Sequence, residues 1–131
     1  MSEGLHPYFH VYGAERWYGH LPEALAAARA SGRKLLVVSG RPTCNGTRAL
    51  VEKTISKEEI AEYLNVHFVA LAVDAQAPEA DVAALLAGLP RHEPTPVCAY
   101  LAADGRVVHS TAGGRPAAVF LNDMLEATVK K

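Results

Sequence analysis

The sequence predicts one α/β domain in which a central mixed sheet of four to five strands is flanked by helices on both faces. Short apolar runs, such as Leu35–Val38 and Phe68–Val73, alternate with helix-periodic segments along the chain. Runs of this kind are typical of strands buried on both faces, and helical crossovers between them impose parallel pairing. The turn Asp104-Gly105 lies between two further strand-like runs and predicts an antiparallel hairpin. Parallel crossovers together with a hairpin require a mixed sheet.

The first half of the chain contains two clear helix signals. One helix begins at Leu21-Pro22, where proline fits the first turn, and ends near Gly32, a natural C-terminal stop. The strand that begins at Leu35 follows it. The run Ser56–Glu59 matches a capping box and predicts a second helix, with Asn65 as its C-terminal cap.

The second half continues the alternation. A short helix is predicted between Pro78 and Gly88, and the hairpin strands are predicted at Val97–Leu101 and Arg106–His109. Pro116–Lys131 has the periodicity of an amphipathic helix. Its predicted core-facing residues are Val119, Phe120, Met124, Leu125 and Val129.

Composition narrows the class of protein. The chain has 131 residues, 50% of them hydrophobic, and a net charge of -1, which excludes disorder by composition. Basic residues do not outnumber acidic ones, so the composition gives no support for a nucleic-acid partner. No apolar run is long enough to cross a membrane. No signal peptide is visible, and two cysteines cannot form the disulfide framework of a secreted domain. We therefore expect a cytoplasmic protein with a single domain at residues 21–131, on which residues 1–20 pack as an N-terminal extension.

The loop after the first buried strand contains the strongest chemical signal. Cys44 lies at a junction between strand and helix, where backbone N–H groups and the helix dipole stabilise a thiolate and lower a thiol pKa. Thr47 follows one helical turn later, so its hydroxyl can donate to the sulfur. The other residues predicted to shape the thiolate environment are Arg41, Asn45, Gly46 and Arg48. The alternative is a small buried apolar cysteine.

Several sequence features follow one another in a recognisable order. They are Trp17, Leu21–Ala26, Gly32–Lys34, Cys44, Tyr63–Asn65, Phe68–Val69, Val73–Asp74, Thr95–Pro96 and Asp104–Gly105. This order resembles the thioredoxin-like superfamily, and in particular its small bacterial members with a leading helix. The resemblance implies a thioredoxin-like fold and thiol–disulfide chemistry at Cys44. It also implies that Pro96 is a cis-proline beside Cys44, and it assigns substrate binding to Thr95, Pro96, Pro42 and Thr43. The Glu93–Pro94 bond is predicted to be trans.

Three departures from that family limit the chemistry. Its Cys-x-x-Cys motif reads Cys44-Asn45-Gly46-Thr47 here, so a hydroxyl replaces the resolving thiol. Thr43 stands in place of an aromatic residue, and Val38 stands where thioredoxins have a buried carboxylate. Without a second thiol the chain can attack a disulfide but cannot release the product by itself. Cys98 lies in an apolar strand and is predicted to be a core residue.

The resulting hypothesis is a monothiol thiol–disulfide oxidoreductase or isomerase that forms mixed disulfides through Cys44. Protein thiols and disulfides would be its partners, an external thiol such as glutathione would release them, and no cofactor is expected. Two alternatives remain open. The fold can serve as a non-catalytic module that binds a partner, with Cys44 vestigial, or Cys44 can act as a redox sensor through sulfenic acid.

The histidines suggest a metal site only weakly. His6 and His10 have helical spacing, but Pro7 interrupts them and no cysteine or acidic cluster joins them. His92 is the one expected near the thiol, while the others lie apart along the chain. No metal site is predicted, because the necessary clustering of ligands is missing. An iron–sulfur cluster shared with glutathione would also need a glutaredoxin motif that the sequence lacks.

Overall fold

A five-stranded sheet with helices on both faces forms the structure, a computed structural model that describes residues 17–40, 45–75, 77–91, 95–114 and 116–130. In chain order the elements are β1 (Trp17–Tyr18), α1 (Leu21–Ser31), β2 (Lys34–Gly40), α2 (Asn45–Arg48), a π-helix (Ala49–Ile55), α3 (Glu58–His67), β3 (Phe68–Asp74), α4 (Ala80–Ala87), β4 (Val97–Leu101), β5 (Val107–Ala112) and α5 (Ala117–Val129).

The strand order is β1-β3-β2-β4-β5, with β2 in the centre. Strand β3 pairs with β2 in parallel, whereas β4 pairs with β2 and β5 pairs with β4 in antiparallel fashion. The predicted mixed sheet is thus confirmed. Trp17–Tyr18 adds a short parallel strand outside β3, and the Trp17 side chain is completely buried. The division of the chain at residue 20 stays a prediction.

Alternation along β2 explains why the sheet separates two apolar cores. Leu36 and Val38 point to one face, while Leu35 and Val37 point to the other, and all four are completely buried. The first face packs against the π-helix, α3 and α5, and the second packs against α1 and α4. Burying one such side chain stabilises the fold by about 1.5–3 kcal/mol, so a strand buried on both faces belongs in the centre.

The helix ends agree with the prediction at α1 and differ from it at α3. Gly32 ends α1 with φ 70°, a conformation that favours glycine, and its N–H donates to the carbonyl of Ala28. The predicted capping box is wrong, because Lys57 is the N-cap residue of α3 and no side chain caps it. The hydroxyl of Ser56 instead donates to the carbonyl of Glu52, at the end of the π-helix. Helix α3 also continues past Asn65 to His67, so Asn65 is not its cap.

Helix α5 buries a narrower face than its sequence suggests. Val119, Leu125 and Val129 are 40%, 45% and 77% exposed, so their prediction as core residues is wrong. At about 100° per residue, the five predicted positions spread around most of the helix, more than one contact with the sheet can cover. Its buried residues are Phe120, Asp123, Met124 and Ala127, which fall within an arc of about 100°.

The β4–β5 hairpin closes through the predicted turn. The Asp104 carboxylate accepts a bond of 2.9 Å from the backbone N–H of Arg106, and Gly105 has φ 93°. Strand β5 begins at Val107 and extends to Ala112, slightly later than predicted. Among the described residues, no helix combines the length and apolar character that spanning a bilayer requires.

Candidate functional site at the end of the central strand

The end of β2 and the beginning of β4 lie side by side. Ser39 pairs with Val97 in the antiparallel register, which brings the next residue of β2, Gly40, to the level of Pro96. The Thr95–Pro96 peptide bond is cis, as expected. The carbonyl of Pro96 accepts a bond of 3.0 Å from the N–H of Gly113, so the start of β4 is held on both sides. This edge of the sheet brings together two of the predicted substrate-binding residues, Thr95 and Pro96.

Thr47 packs against the same strand end. Its side chain is completely buried. A Cβ atom on Gly40 would lie 2.5 Å from Thr47 Oγ1 and 2.7 Å from its Cγ2, far inside contact distance. Glycine at position 40 therefore makes the space that Thr47 occupies. Thr47 is the third residue of α2, whose first residue, Asn45, directly follows Cys44 in the chain.

The structure locates only part of the predicted thiol environment. The backbone of Asn45 and Gly46 belongs to α2. Arg48 is 57% exposed, and its Nε lies 3.4 Å from the Glu52 carboxylate, an ordinary i,i+4 ion pair. The predicted residues outside the described part of the chain are Arg41, Pro42, Thr43, Cys44, His92 and the Glu93–Pro94 bond.

Cys98 is a core residue, as predicted. It lies on β4 opposite Val38, and both side chains are completely buried in the core cluster that also contains Tyr100. Val38 thus places an aliphatic group where thioredoxins would have a carboxylate. A substrate in solution therefore has no access to the Cys98 thiol.

A second polar cluster, which the sequence did not predict, joins β5 to α5. His109 Nε2 lies 3.3 Å from an Asp123 carboxylate oxygen and 3.9 Å from a Glu126 carboxylate oxygen. Asp123 carries a carboxylate, yet it lies on the core-facing side of α5 and is buried, at 4% exposure. Lys130 Nζ lies 3.3 Å from the other ring nitrogen, His109 Nδ1. The spacing Asp123-x-x-Glu126 was the available signal, because it places two carboxylates on one helix face.

Another histidine–carboxylate pair lies on the surface. His20 Nδ1 is 2.9 Å from a Glu79 carboxylate oxygen, and the two side chains are 40% and 50% exposed. Among the described residues, this pair is not part of a larger group of metal-ligand type, whereas His109, Asp123 and Glu126 are.

The sequence as a whole matches a known domain family. A family model described as the thioredoxin-like domain matches residues 21–128. The chain belongs to the thioredoxin-like family. No curated protein sequence matches it.

Solved structures agree with this thioredoxin-like assignment. A thioredoxin from Thermus thermophilus is 29% identical and superimposes with a TM-score of 0.72 over 87% of each chain. A disulphide isomerase from Xylella fastidiosa Temecula1 is 24% identical, with a TM-score of 0.61 over 82% of each chain. The DsbH oxidoreductase is 15% identical, with a TM-score of 0.67 over 98% of this chain and 92% of that chain. The last two likenesses show the thioredoxin-like fold alone.

Proposed function

We propose that this thioredoxin-like protein is a thiol–disulfide oxidoreductase or isomerase that works by a monothiol route through Cys44. The main support is the packing of Thr47 against Gly40 at the edge of the sheet where β4 begins with Thr95–Pro96. In the sequence, Cys44 directly precedes Asn45, the first residue of α2, and Thr47 follows Cys44 by three residues. The names of the similar structures, a thioredoxin, a disulphide isomerase and an oxidoreductase, agree with protein thiols and disulfides as substrates.

The proposed reaction begins with attack by the Cys44 thiolate on a substrate disulfide. A bond forms between Cys44 Sγ and one substrate sulfur, while the substrate S–S bond breaks and its other sulfur leaves as a thiolate. The hydroxyl of Thr47 would donate a hydrogen bond to the thiolate of Cys44. The backbone at Thr95 and Pro96, together with Pro42 and Thr43, would hold the substrate in an extended conformation.

Release requires a thiol from outside this chain. In the reductase branch, glutathione thiolate attacks Cys44 Sγ, the substrate leaves as a second thiol, and a second glutathione then frees Cys44 as glutathione disulfide forms. The net change is two glutathione molecules oxidised for one substrate disulfide reduced. In the isomerase branch, a second thiol of the substrate displaces Cys44, and no net oxidation occurs. Both branches suit a reducing compartment, so we place the protein in the cytoplasm.

The pH dependence of Cys44 alkylation by iodoacetamide tests the proposal. Because Cys98 is completely buried, alkylation of the native chain reports Cys44, and Cys98→Ala provides the control. We expect the rate to titrate with a midpoint well below the ordinary thiol value of about 8.5. We also expect Cys44→Ser to abolish glutathione-dependent reduction of a mixed-disulfide substrate. A midpoint at or above about 8.5, with no loss of activity in Cys44→Ser, would refute the proposal and favour a binding module.

Thr47→Ala separates a thiolate-stabilising role from simple packing. Loss of the hydroxyl should raise the midpoint for Cys44 alkylation, whereas Thr47→Ser, which retains a hydroxyl, should keep it near the wild-type value. If Thr47→Ala and Thr47→Ser shift the midpoint equally, the hydroxyl does not stabilise the thiolate. A stable sulfenic acid that accumulates at Cys44 under peroxide, with no turnover of disulfides, would instead indicate a redox sensor.

A further inference from the structure

We propose that His109, Asp123 and Glu126 form a binding site for a divalent zinc-type cation, separate from the thiol site. One imidazole nitrogen and two carboxylates provide three ligand atoms, all within 4.8 Å of one another. Imidazole nitrogen together with carboxylate oxygen suits zinc better than the hard cations magnesium and calcium, which prefer oxygen alone. Three protein ligands would leave one coordination position for water.

The distances between the ligand atoms match a tetrahedral site. With bonds of about 2.0–2.1 Å, two ligand atoms of a tetrahedral zinc ion lie about 3.3 Å apart. His109 Nε2 and the Asp123 oxygen are 3.3 Å apart, which fits without movement. Glu126 Oε2 is 3.9 Å from the same nitrogen, and its side chain is 52% exposed, so it has room to approach by the small distance required.

The fold fixes the two inner ligands before any ion arrives. Asp123 is held in the buried face of α5, and His109 lies on β5 with only 16% of its side chain exposed. The His109 ring also packs against Tyr100, with ring centroids 5.5 Å apart. Glu126, one helical turn after Asp123, is the exposed ligand and gives the ion an entry path.

The contact between Lys130 and His109 must change when an ion binds. A lysine ammonium can only donate, so its contact with His109 Nδ1 makes that nitrogen the acceptor and leaves the ring proton on Nε2, facing Asp123. An ion on Nε2 requires the proton to move to Nδ1, which no longer accepts from lysine. Lys130 must therefore move away from His109. It can do so because it directly follows the last residue of α5 and is exposed. The lysine and the ion are thus competitors for one cluster.

Isothermal titration with Zn²⁺ tests the site on the full chain after removal of metal by a chelator. The Cys44→Ser background eliminates the thiol of Cys44 as a ligand. We expect one equivalent of bound zinc that Glu126→Gln weakens by at least about tenfold and that His109→Gln or Asp123→Asn eliminates. Lys130→Gln should tighten binding several-fold, because it removes the competing charge. Glu126→Gln changes an exposed side chain, so a folding defect does not obscure its result.

His20→Gln is the matched control. It removes a histidine–carboxylate pair of similar distance that is not part of a larger ligand cluster among the described residues, and it should leave the zinc equivalent unchanged. Zinc should also raise the melting temperature of the parent chain more than that of Glu126→Gln. The proposal is overturned if no zinc binds, or if His109→Gln and Glu126→Gln bind as tightly as the parent. It is equally overturned if Lys130→Gln weakens binding.

Discussion

The two polar regions of this protein differ in how they hold their side chains. At the end of β2, Thr47 is neutral and completely buried, and it rests on a glycine. At the β5–α5 junction, three ionisable side chains run from the core to the surface: Asp123 is buried, His109 is half-buried and Lys130 is exposed. The stability of a neutral, closely packed site depends mainly on steric fit. The stability of a charged, partly exposed site depends on how well its positive and negative side chains compensate each other. We therefore expect changes of shape to damage the first region and changes of charge to alter the second.

Gly40→Ala should give the largest loss of stability and tests whether steric fit controls the region around Thr47. The added methyl group would lie 2.5 Å from Thr47 Oγ1 and 3.1 Å from its Cβ, so the start of α2 must shift. We expect a loss of about 2 kcal/mol in the free energy of unfolding, together with slower alkylation of Cys44. Chemical denaturation measures the first quantity, and iodoacetamide kinetics measure the second.

The control for Gly40→Ala is the same substitution at Gly88. A Cβ atom there would meet nothing closer than 3.6 Å, and the residue has an ordinary φ of −84°. Gly88→Ala should leave stability unchanged or raise it by up to about 1 kcal/mol. The double variant Gly40→Ala/Thr47→Ala should recover part of the loss, because the clashing side chain is then smaller. If Gly40→Ala and Gly88→Ala behave alike, Thr47 does not depend on glycine at position 40.

Thr47→Cys should convert the proposed monothiol site into a dithiol site. Cysteine is close to threonine in size, so it fits the same buried space, and a thiol one turn after Cys44 can resolve a mixed disulfide. Gly46 and Val38 limit the gain, because Gly46 leaves the first turn of α2 without the stiffness of proline and Val38 provides no carboxylate for proton transfer. We expect at least about a tenfold rise in insulin reduction with dithiothreitol, about 1.4 kcal/mol in the barrier. A correctly folded Thr47→Cys with no activity, and with Cys44 unreactive to iodoacetamide, would contradict the proposed helix-start position of Cys44.

Signals that are local in sequence predicted most of the fold. The continuous apolar run of β2 and the Asp104-Gly105 turn were sufficient to infer a mixed sheet with β2 inside it, because both depend on neighbouring residues alone. Thr47 was predicted from its spacing to Cys44, yet its contact with Gly40 depends on how α2 turns back onto β2. The position of Cys44 itself stays a prediction, because it lies outside the described residues.

Contacts between segments that are distant in the sequence could not be predicted from local patterns. The sequence shows the spacing of Asp123 and Glu126 on α5, but only the packing of α5 on β5 brings His109 next to these carboxylates. Ser56 failed as a helix cap because the preceding helix is a π-helix, whose last turn accepts its hydroxyl. Val119, Leu125 and Val129 failed as core residues because hydrophobic character alone does not determine which arc of a helix meets a sheet.

His109→Gln should lower the free energy of unfolding less than Gly40→Ala does, and it tests how much the polar contacts of the β5–α5 junction contribute. The substitution removes one partner of the buried Asp123 carboxylate, so we expect a loss of about 1 kcal/mol in the free energy of unfolding. The exposed pair His20–Glu79 provides the reference, because solvent screens it, and His20→Gln should change stability by less than about 0.5 kcal/mol. Denaturation in metal-free buffer measures both. Equal losses in the two variants would mean that burial adds nothing to the His109–Asp123 contact.

Val129→Thr should have the smallest effect, because the end of α5 beside the His109 cluster is held by polar contacts. The Thr128 hydroxyl donates to the carbonyl of Met124 at 2.7 Å and accepts from the Tyr63 hydroxyl at 3.0 Å, while the Val129 side chain is 77% exposed. Exchanging a methyl group for a hydroxyl at such a position changes little, so we expect a shift within about 0.5 kcal/mol. The same exchange at Val37, which is completely buried in β2, should cost about 1–3 kcal/mol, because the new hydroxyl enters an apolar core. A loss above about 1 kcal/mol for Val129→Thr would mean that apolar packing secures this helix end, so that the β5–α5 junction would not differ from the closely packed end of β2.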